Sequence, residues 1–390
     1  MKIAYIVSDF GLVSETFVQD LVTGLSNSSQ TVTVICNQSS TSKHHSCTVK
    51  PASFMGLDSL GDRIGLRVDR LFEHKGPYRT YQRHLKHAHC QLLPVLKQVQ
   101  PDVAYIDYGT VAALARLPLQ SLNIPFVVHF HGADVTSNLN NPAYRQELQK
   151  VFHKASALIV ASDHVRRLLV LEGASPEKIH VVRLGINLEG ISPMPWEQRK
   201  QFPPSIVFLG RFTPKKHPVA LIEAFALVKK NVPEAQLSMI GDGSEMARVK
   251  QRIEKYGLDE SVKLYGALPR AEALAIANQH WIFAQHSVTA ATGDQEGFGI
   301  SLAEAAALGL PIVSTLHNGI PEQVIHTKTG FLAREFDYEM MTEYLVKLLV
   351  SPDKAQKMGT LGCRNIGDIC KVQERIFKVL NIMYQALILT

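Results

Sequence analysis

The chain has 390 residues, 46% hydrophobic and 19% charged, with a formal net charge of +6. That length exceeds what one core normally serves, so two domains are expected, and the composition excludes a disordered chain. The five cysteines (36, 47, 90, 363 and 370) include no C-x-x-C pair, which argues against a zinc or redox motif and fits free thiols in a reducing cytoplasm.

The first residues, Met1–Ser8, are apolar but too short for a signal peptide and read as a buried first strand. No stretch approaches the ~18 uninterrupted apolar residues of a spanning helix. Gly11, Ser14, Glu15 and Thr16 form the turn after this strand, where they would meet a phosphate or an acceptor, or cap the next helix. Further strands are expected at Thr31–Cys36, Val103–Ile106, Phe126–His129, Ala157–Ala161 and Ile179–Val182. Residues 61–100 carry eight Lys or Arg against three acids, plus four His. Such a patch suits an anionic partner or is simply a solvated helical face. Leu188–Ser205 holds Pro193, Pro195, Pro203 and Pro204 and reads as a linker. A second strand series follows: Ser205–Leu209, Gln236–Ile240, Val262–Tyr265, Trp281–Ala284, Pro311–Ser314 and Gly330–Leu332. Helical patterns lie between most strands, so the fold class is α/β with parallel sheets and crossover helices. The expected domains are 1–188 and 205–371, both Rossmann-like, with 189–204 between them. A last helix, about 372–390, would pack on either half.

The most informative segment is Gln285–Glu322. Glu296 precedes Gly297-Phe298-Gly299 and a helical run, Ser301–Leu308, that contains Glu304. The glycines admit close approach of a ligand, and the amides of Phe298, Gly299 and Ile300 would sit at a helix N-terminus, an anion site. Two carboxylates flanking such amides suit a diphosphate with a hydroxylated ring at each end. In Val207–His217 a strand ends in Gly210-Arg211, and Arg211 and Lys216 would reach the same diphosphate, while Lys215 is expected in solvent. His129-Phe130-His131-Gly132-Ala133-Asp134 again takes a strand into a loop, with His131 and Asp134 placed to meet a sugar or acceptor. Asp294 would touch the sugar or cap a turn. Gly241-Asp242-Gly243 is a further strand-end turn.

These motifs, in this order, resemble the family 4 retaining glycosyltransferases of the GT-B fold, whose two Rossmann-like domains have parallel sheets facing a central cleft. Gln285–Asp294 and Ser14–Phe17 look most like exopolysaccharide and surface-polysaccharide members. The resemblance implies that Glu296 grips the donor sugar, Glu304 the ribose, and Arg211 and Lys216 the diphosphate. It implies that His131 contacts the sugar near the reacting carbon, with Asp134 supporting its loop. Gly241, Gly243 and Leu268 would line the nucleotide pocket, and Gly11 would allow close approach of the acceptor or phosphates. Three positions depart from the family pattern: His217 stands where glycine is common, Asn187 where an acid is usual, and Gly11-Leu12 where a glycine pair is common.

The expected reaction is sugar transfer from a nucleoside diphosphate sugar, uridine favoured, to a saccharide or lipid-linked saccharide. No cofactor and no metal are expected. The nearest paired-acid motif, Glu335-Phe336-Asp337, lies late in the chain and away from the others. The expected location is cytoplasmic, with a membrane rather than nucleic acid against residues 61–100. A soluble acceptor, a GT-B epimerase and a non-enzymatic scaffold are the alternatives. A nicotinamide dehydrogenase is disfavoured, because no G-x-G-x-x-G follows the first strand.

Overall fold

The computed structural model describes residues 1–12, 15–39, 47–56, 76–188 and 192–388. The chain forms two compact units, Met1–Arg183 with Val372–Thr390, and Leu184–Lys371.

The first unit is built on β1 (Lys2–Phe10), β2 (Thr31–Ser39), β3 (Thr48–Pro51), β4 (Val103–Asp107), β5 (Phe126–Phe130), β6 (Ala157–Val160) and β7 (Ile179–Val181). All pairs are parallel, in the order β3-β2-β1-β4-β5-β6-β7. Ile3–Val7 and Val103–Ile106 have no exposed surface. A parallel sheet covered on both faces requires such unbroken apolar runs, which is why they stand out in the sequence. β3 is not among the expected strands: it is a four-residue edge strand whose Lys50 and Pro51 break the apolar pattern. The helices are α1 (Thr16–Asn27), α2 (Gly76–Val99), α3 (Gly109–Ser121), α4 (Pro142–Lys154) and α5 (Asp163–Leu171).

The second unit holds β8 (Ser205–Leu209), β9 (Gln236–Ile240), β10 (Val262–Gly266), β11 (Ile282–Ala284), β12 (Ile312–Thr315) and β13 (Gly330–Ala333), again all parallel, in the order β10-β9-β8-β11-β12-β13. Its helices are α6 (Trp196–Arg199), α7 (Pro218–Asn231), α8 (Met246–Lys255), α9 (Arg270–Ala277), α10 (Ile300–Ala307), α11 (Tyr338–Leu349) and α12 (Pro352–Ile369). The last helix, α13 (Val372–Ile388), belongs to the first unit, where Arg375, Ile376, Val379 and Met383 are buried.

Two expectations change. From residue 192 onward the proline-rich stretch is not a tether: α6 belongs to the second unit and buries Trp196 and Arg199. The basic region is described only from residue 76, where α2 buries Leu85, Leu92 and Leu96 and exposes Lys86 and Lys97; residues 61–75 lie outside the described residues. Among the described residues, no helix is long and apolar enough to cross a membrane.

Strand order reverses direction at β1/β4 in one sheet and at β8/β11 in the other. The carboxyl ends of strands at such a switch point form a crevice that binds ligands. The loops after β8 and β11 are Gly210–Lys216 and Gln285–Gly299, and those after β1 and β4 lead to Glu15 and Tyr108.

Candidate active site

In the second unit, the β11–α10 loop brings Glu296 against the β8–α7 loop. Lys216 Nζ lies 2.9 Å from Glu296 Oε2, and each side chain keeps 12% of its surface exposed. The contact is an ion pair, and among the described residues no donor other than Lys216 approaches Oε2. Burial alone would raise the Glu296 pKa. The charges of Lys216 and then Lys215, with His317, outweigh it and hold the carboxyl at about 2. Lys216 Nζ also donates to Gln285 Oε1 at 3.2 Å, and Ser301 Oγ reaches the same oxygen at 3.3 Å. Gln285, fully buried, therefore ties Lys216 to the first turn of α10. Lys215, expected in solvent, instead pairs with Asp294 at 3.2 Å and donates to the Gln295 carbonyl. Arg211 is exposed and makes no ion pair with a described residue.

The α10 start has the geometry of an anion site. Gly299 caps it with φ +82°, a left-handed conformation, and an added Cβ would lie 2.9 Å from Leu302 Cδ1 and 3.6 Å from Glu296 Cγ. Among the described residues, the amides of Phe298, Gly299 and Ile300 have no acceptor. Gly297 and the Phe298 ring are buried, and Gln323 donates to the Phe298 carbonyl, which fixes the amides' direction. One turn on, Glu304 accepts from Arg270 Nε at 2.6 Å, while Arg270 Nη2 donates to the Asn187 carbonyl. Leu268 lies two residues before that arginine, so the β10–α9 loop abuts the Glu304 end of α10.

A set of polar residues supports Glu296 from behind. The Glu296 amide donates to His317 Nε2 at 3.1 Å, and His317 Nδ1 faces Glu335 Oε1 at 2.6 Å. Accepting at Nε2 requires the Nδ1–H tautomer, and the Glu335 carboxylate holds that proton. Thr289 N donates to Glu335 Oε2 at 2.8 Å. Glu335 is thus not remote from the other motifs: one imidazole separates it from the Glu296 main chain. At Gly241 the reason for glycine is packing, since a Cβ would lie 2.0 Å from the Gly210 carbonyl oxygen and press the β9 turn into the β8 turn. The amide of Gly243 in that turn donates to Asp242 Oδ1 at 2.6 Å.

The first unit gathers its polar groups at the carboxyl ends of β4 and β5. His131 Nε2 lies 2.7 Å from Asp107 Oδ1, and His129 Nδ1 3.5 Å from it. Burial would raise the Asp107 pKa, but bonding to His129 and His131 holds it well below the carboxylate range. Ionised Asp107 can only accept, so His131 Nε2 carries the proton it shares. Tyr5 OH donates to Asp107 Oδ2, and Tyr105 OH bonds His129 Nδ1 at 2.8 Å. Burial, with the charge of His131, pulls His129 down to about 3. One ligand-type atom each from Asp107, His129 and His131 lie within 4.8 Å of one another, but direct hydrogen bonding already occupies them. The His131 ring packs between Phe17 and Tyr108, at 4.8 and 4.7 Å. Tyr108 adopts φ +75°, ψ 132°, an uncommon backbone for a bulky residue, and its hydroxyl donates to Glu15 Oε1 at 2.9 Å.

Asp134, grouped with the donor-binding residues, has the loop-supporting place that the resemblance implied. It is buried, and its carboxylate accepts from the amides of Gly109, His131 and Gly132 at 2.8 to 3.3 Å. It shapes the His131 loop rather than facing a ligand. Gly11 has φ +92°, Glu15 stands at the N-cap position of α1 without a capping bond from its side chain, and Thr16 is the first helical residue; Ser14 lies outside the described residues.

Comparison with known proteins matches these two halves to two family models. Residues 14–189 fit one described as glycosyltransferase family 4, and residues 195–362 fit one described as glycosyl transferases group 1. WcaL of Escherichia coli, named for colanic acid biosynthesis, is 30% identical over 366 residues, covering 88% of this chain and 90% of that one. The chain belongs to the family 4 glycosyltransferases. Another relative of this glycosyltransferase is the amylovoran biosynthesis glycosyltransferase AmsK of Erwinia amylovora, 28% identical over 370 residues, 89% of this chain and 90% of that one. HepE of Anabaena, solved with UDP and glucose, shares the GT-B fold at a TM-score of 0.76, with 18% identity and 98% of each chain covered.

Three polar residues that hold groups of the candidate site carry no expectation from the sequence: Asp107, Arg270 and His317. Gln285 and Glu335 stand in segments already singled out, but nothing local links them to Lys216 and His317. A signal existed only for Asp107, a charged residue closing an apolar strand, which is unusual unless the charge is used.

Proposed function

We propose that the chain moves a sugar from a nucleoside diphosphate sugar to a saccharide or lipid-linked acceptor in polysaccharide biosynthesis, with retention of configuration and without a metal. The observation that carries this is the α10 start: three amides with no partner among the described residues, the Lys216–Glu296 pair before them and Glu304 one turn on. Amides, Lys216 and exposed Arg211 would take the diphosphate and stabilise the charge it gains as the glycosidic bond breaks. Glu296 would accept from sugar hydroxyls and Glu304 from the ribose. The acceptor oxygen would bond to the anomeric carbon on the face the phosphate leaves, and a phosphate oxygen would take the acceptor proton, so no separate protein base is required. His131, held by Asp107, would contact the sugar near that carbon. The relatives named for colanic acid and amylovoran biosynthesis support the polysaccharide context, and the UDP held by HepE makes uridine the first base to try. A cytoplasmic location, against the membrane face where lipid-linked acceptors are built, fits this reading.

A thermal-shift panel of UDP, GDP, CDP and dTDP sugars tests donor binding, since a tight donor raises the melting temperature by mass action. Glu296→Ala should lose most turnover while still binding nucleotide; unchanged turnover would sink the assignment. NMR of the product's anomeric proton reports retention, and activity abolished by a chelator would contradict metal independence.

A further inference from the structure

We propose that the Lys216–Glu296 pair is the element by which this site distinguishes an intact nucleotide sugar from a bare nucleoside diphosphate. The inference rests on the reading that Lys216 holds the diphosphate. Without ligand, the cation meant for phosphate is neutralised by the carboxylate meant for sugar, 2.9 Å away and mostly out of water. Among the described residues, the Lys216 ammonium has one other polar partner, the neutral Gln285 Oε1, and no second donor reaches Glu296 Oε2 to replace the lysine. A bare diphosphate that takes Lys216 therefore leaves a buried carboxylate facing only the more distant charge of Lys215, itself paired with Asp294, which opposes binding. An intact donor exchanges both partners together: phosphate oxygens replace Glu296 at Lys216, and sugar hydroxyls replace Lys216 at Glu296. Once the sugar has been transferred, Glu296 loses its hydroxyls and again competes for Lys216, which favours release of the nucleoside diphosphate. The neighbouring Lys215–Asp294 pair provides an internal control, because Lys215 is anchored separately by the Gln295 carbonyl.

Titration calorimetry of the full chain with inorganic pyrophosphate, at fixed ionic strength and neutral pH, tests the exchange. Glu296→Gln should bind pyrophosphate about tenfold tighter than the parent, the scale of a desolvated charge pair. The gain should vanish in a Lys216→Ala background, and Asp294→Asn, which removes the same charge from the same loop, should give a much smaller one. Glu296→Asp, which withdraws the carboxylate, should give a partial gain and stands in if the glutamine variant does not fold. An equal gain with and without Lys216 would reduce the effect to general charge removal and overturn the proposal. So would the absence of any gain while Lys216→Ala still weakens binding, and in that case the diphosphate reading survives. If Lys216→Ala leaves pyrophosphate binding unchanged, that reading fails and the proposal fails with it.

Discussion

Replacing Arg199 by methionine removes a cation that is completely buried and, among the described residues, balanced by no carboxylate. Its Nη1 donates to the Gly309 carbonyl at 3.2 Å. Its Nη2 donates to the Leu308 carbonyl at 3.0 Å and to the carbonyl and Oδ1 of Asn278, each at 3.2 Å. These acceptors close the C-terminal ends of α9 and α10, where the last carbonyls lack intrahelical partners and the helix dipoles are negative. Two effects oppose each other. Burial pulls the guanidinium from 12.5 to about 10, so keeping it charged costs about 3 kcal/mol. Hydrogen bonds from a charged donor contribute about 1.5–3 kcal/mol each, or about 6–12 kcal/mol for four. The bonds win, and methionine, which refills the space over the Trp196 ring, should destabilise the second unit by about 3–5 kcal/mol. Urea unfolding followed by tryptophan fluorescence measures this directly. The chain's two tryptophans both flank Arg199: Trp196 faces the guanidinium and Trp281 Nε1 donates to the Arg199 carbonyl at 3.1 Å. Nucleotide affinity should fall as well, because α10 carries at its other end the amides proposed to take the diphosphate. A loss of unfolding free energy below about 1 kcal/mol would refute the reasoning.

Asp107→Asn keeps the shape but cannot hold His131 Nε2 as a donor against a full negative charge; turnover should fall by about 100-fold while UDP affinity stays within about twofold, and parental turnover would count against it. Acid should weaken both units through buried neutral histidines: His129 is held at about 3, His280 at about 4 and His286 at about 3, in each case mainly by burial. Their folded pKa values lie below the unfolded 6.5, so the stability they contribute is complete above that pH and drains away toward the folded values. One pH unit below the unfolded value, each should have cost about 1.4 kcal/mol, and calorimetry should show a falling Tm between neutrality and that point; a flat Tm would contradict it. Gly241→Ala should destabilise by about 2 kcal/mol or more, since its Cβ would meet the Gly210 carbonyl oxygen, and an unchanged melting temperature would show that the two turns have room to part.

Much of the scaffold was legible before any coordinates. The strands of both sheets read clearly because a strand buried on both faces must be an unbroken apolar run, as in Ile3–Val7 and Val103–Ile106. The Glu296–Glu304 segment was legible for a different reason: glycine, carboxylate and helix start are contiguous, so their chemistry is local. Edge strand β3 was not legible, because an edge strand can carry lysine and proline. The fate of Lys215 was also hidden, since its partner Asp294 lies 79 residues away.

The parallel α/β architecture, and the grouping of Glu296, Gly299 and Glu304 around one helix start, follow from residue order alone, because each is encoded within one strand, turn or helix. Only the tertiary structure decided which of those residues hold one another. Parallel register sets Asp107 beside His129, and the strand-to-loop path after β5 turns His131 back onto the same carboxylate. The β13–α11 loop sends Glu335 behind the Glu296 loop, and α6 delivers Arg199 to the closed end of α10. These contacts join residues far apart in the chain, and their selection depends on buried charge finding a partner, a condition that no local pattern records.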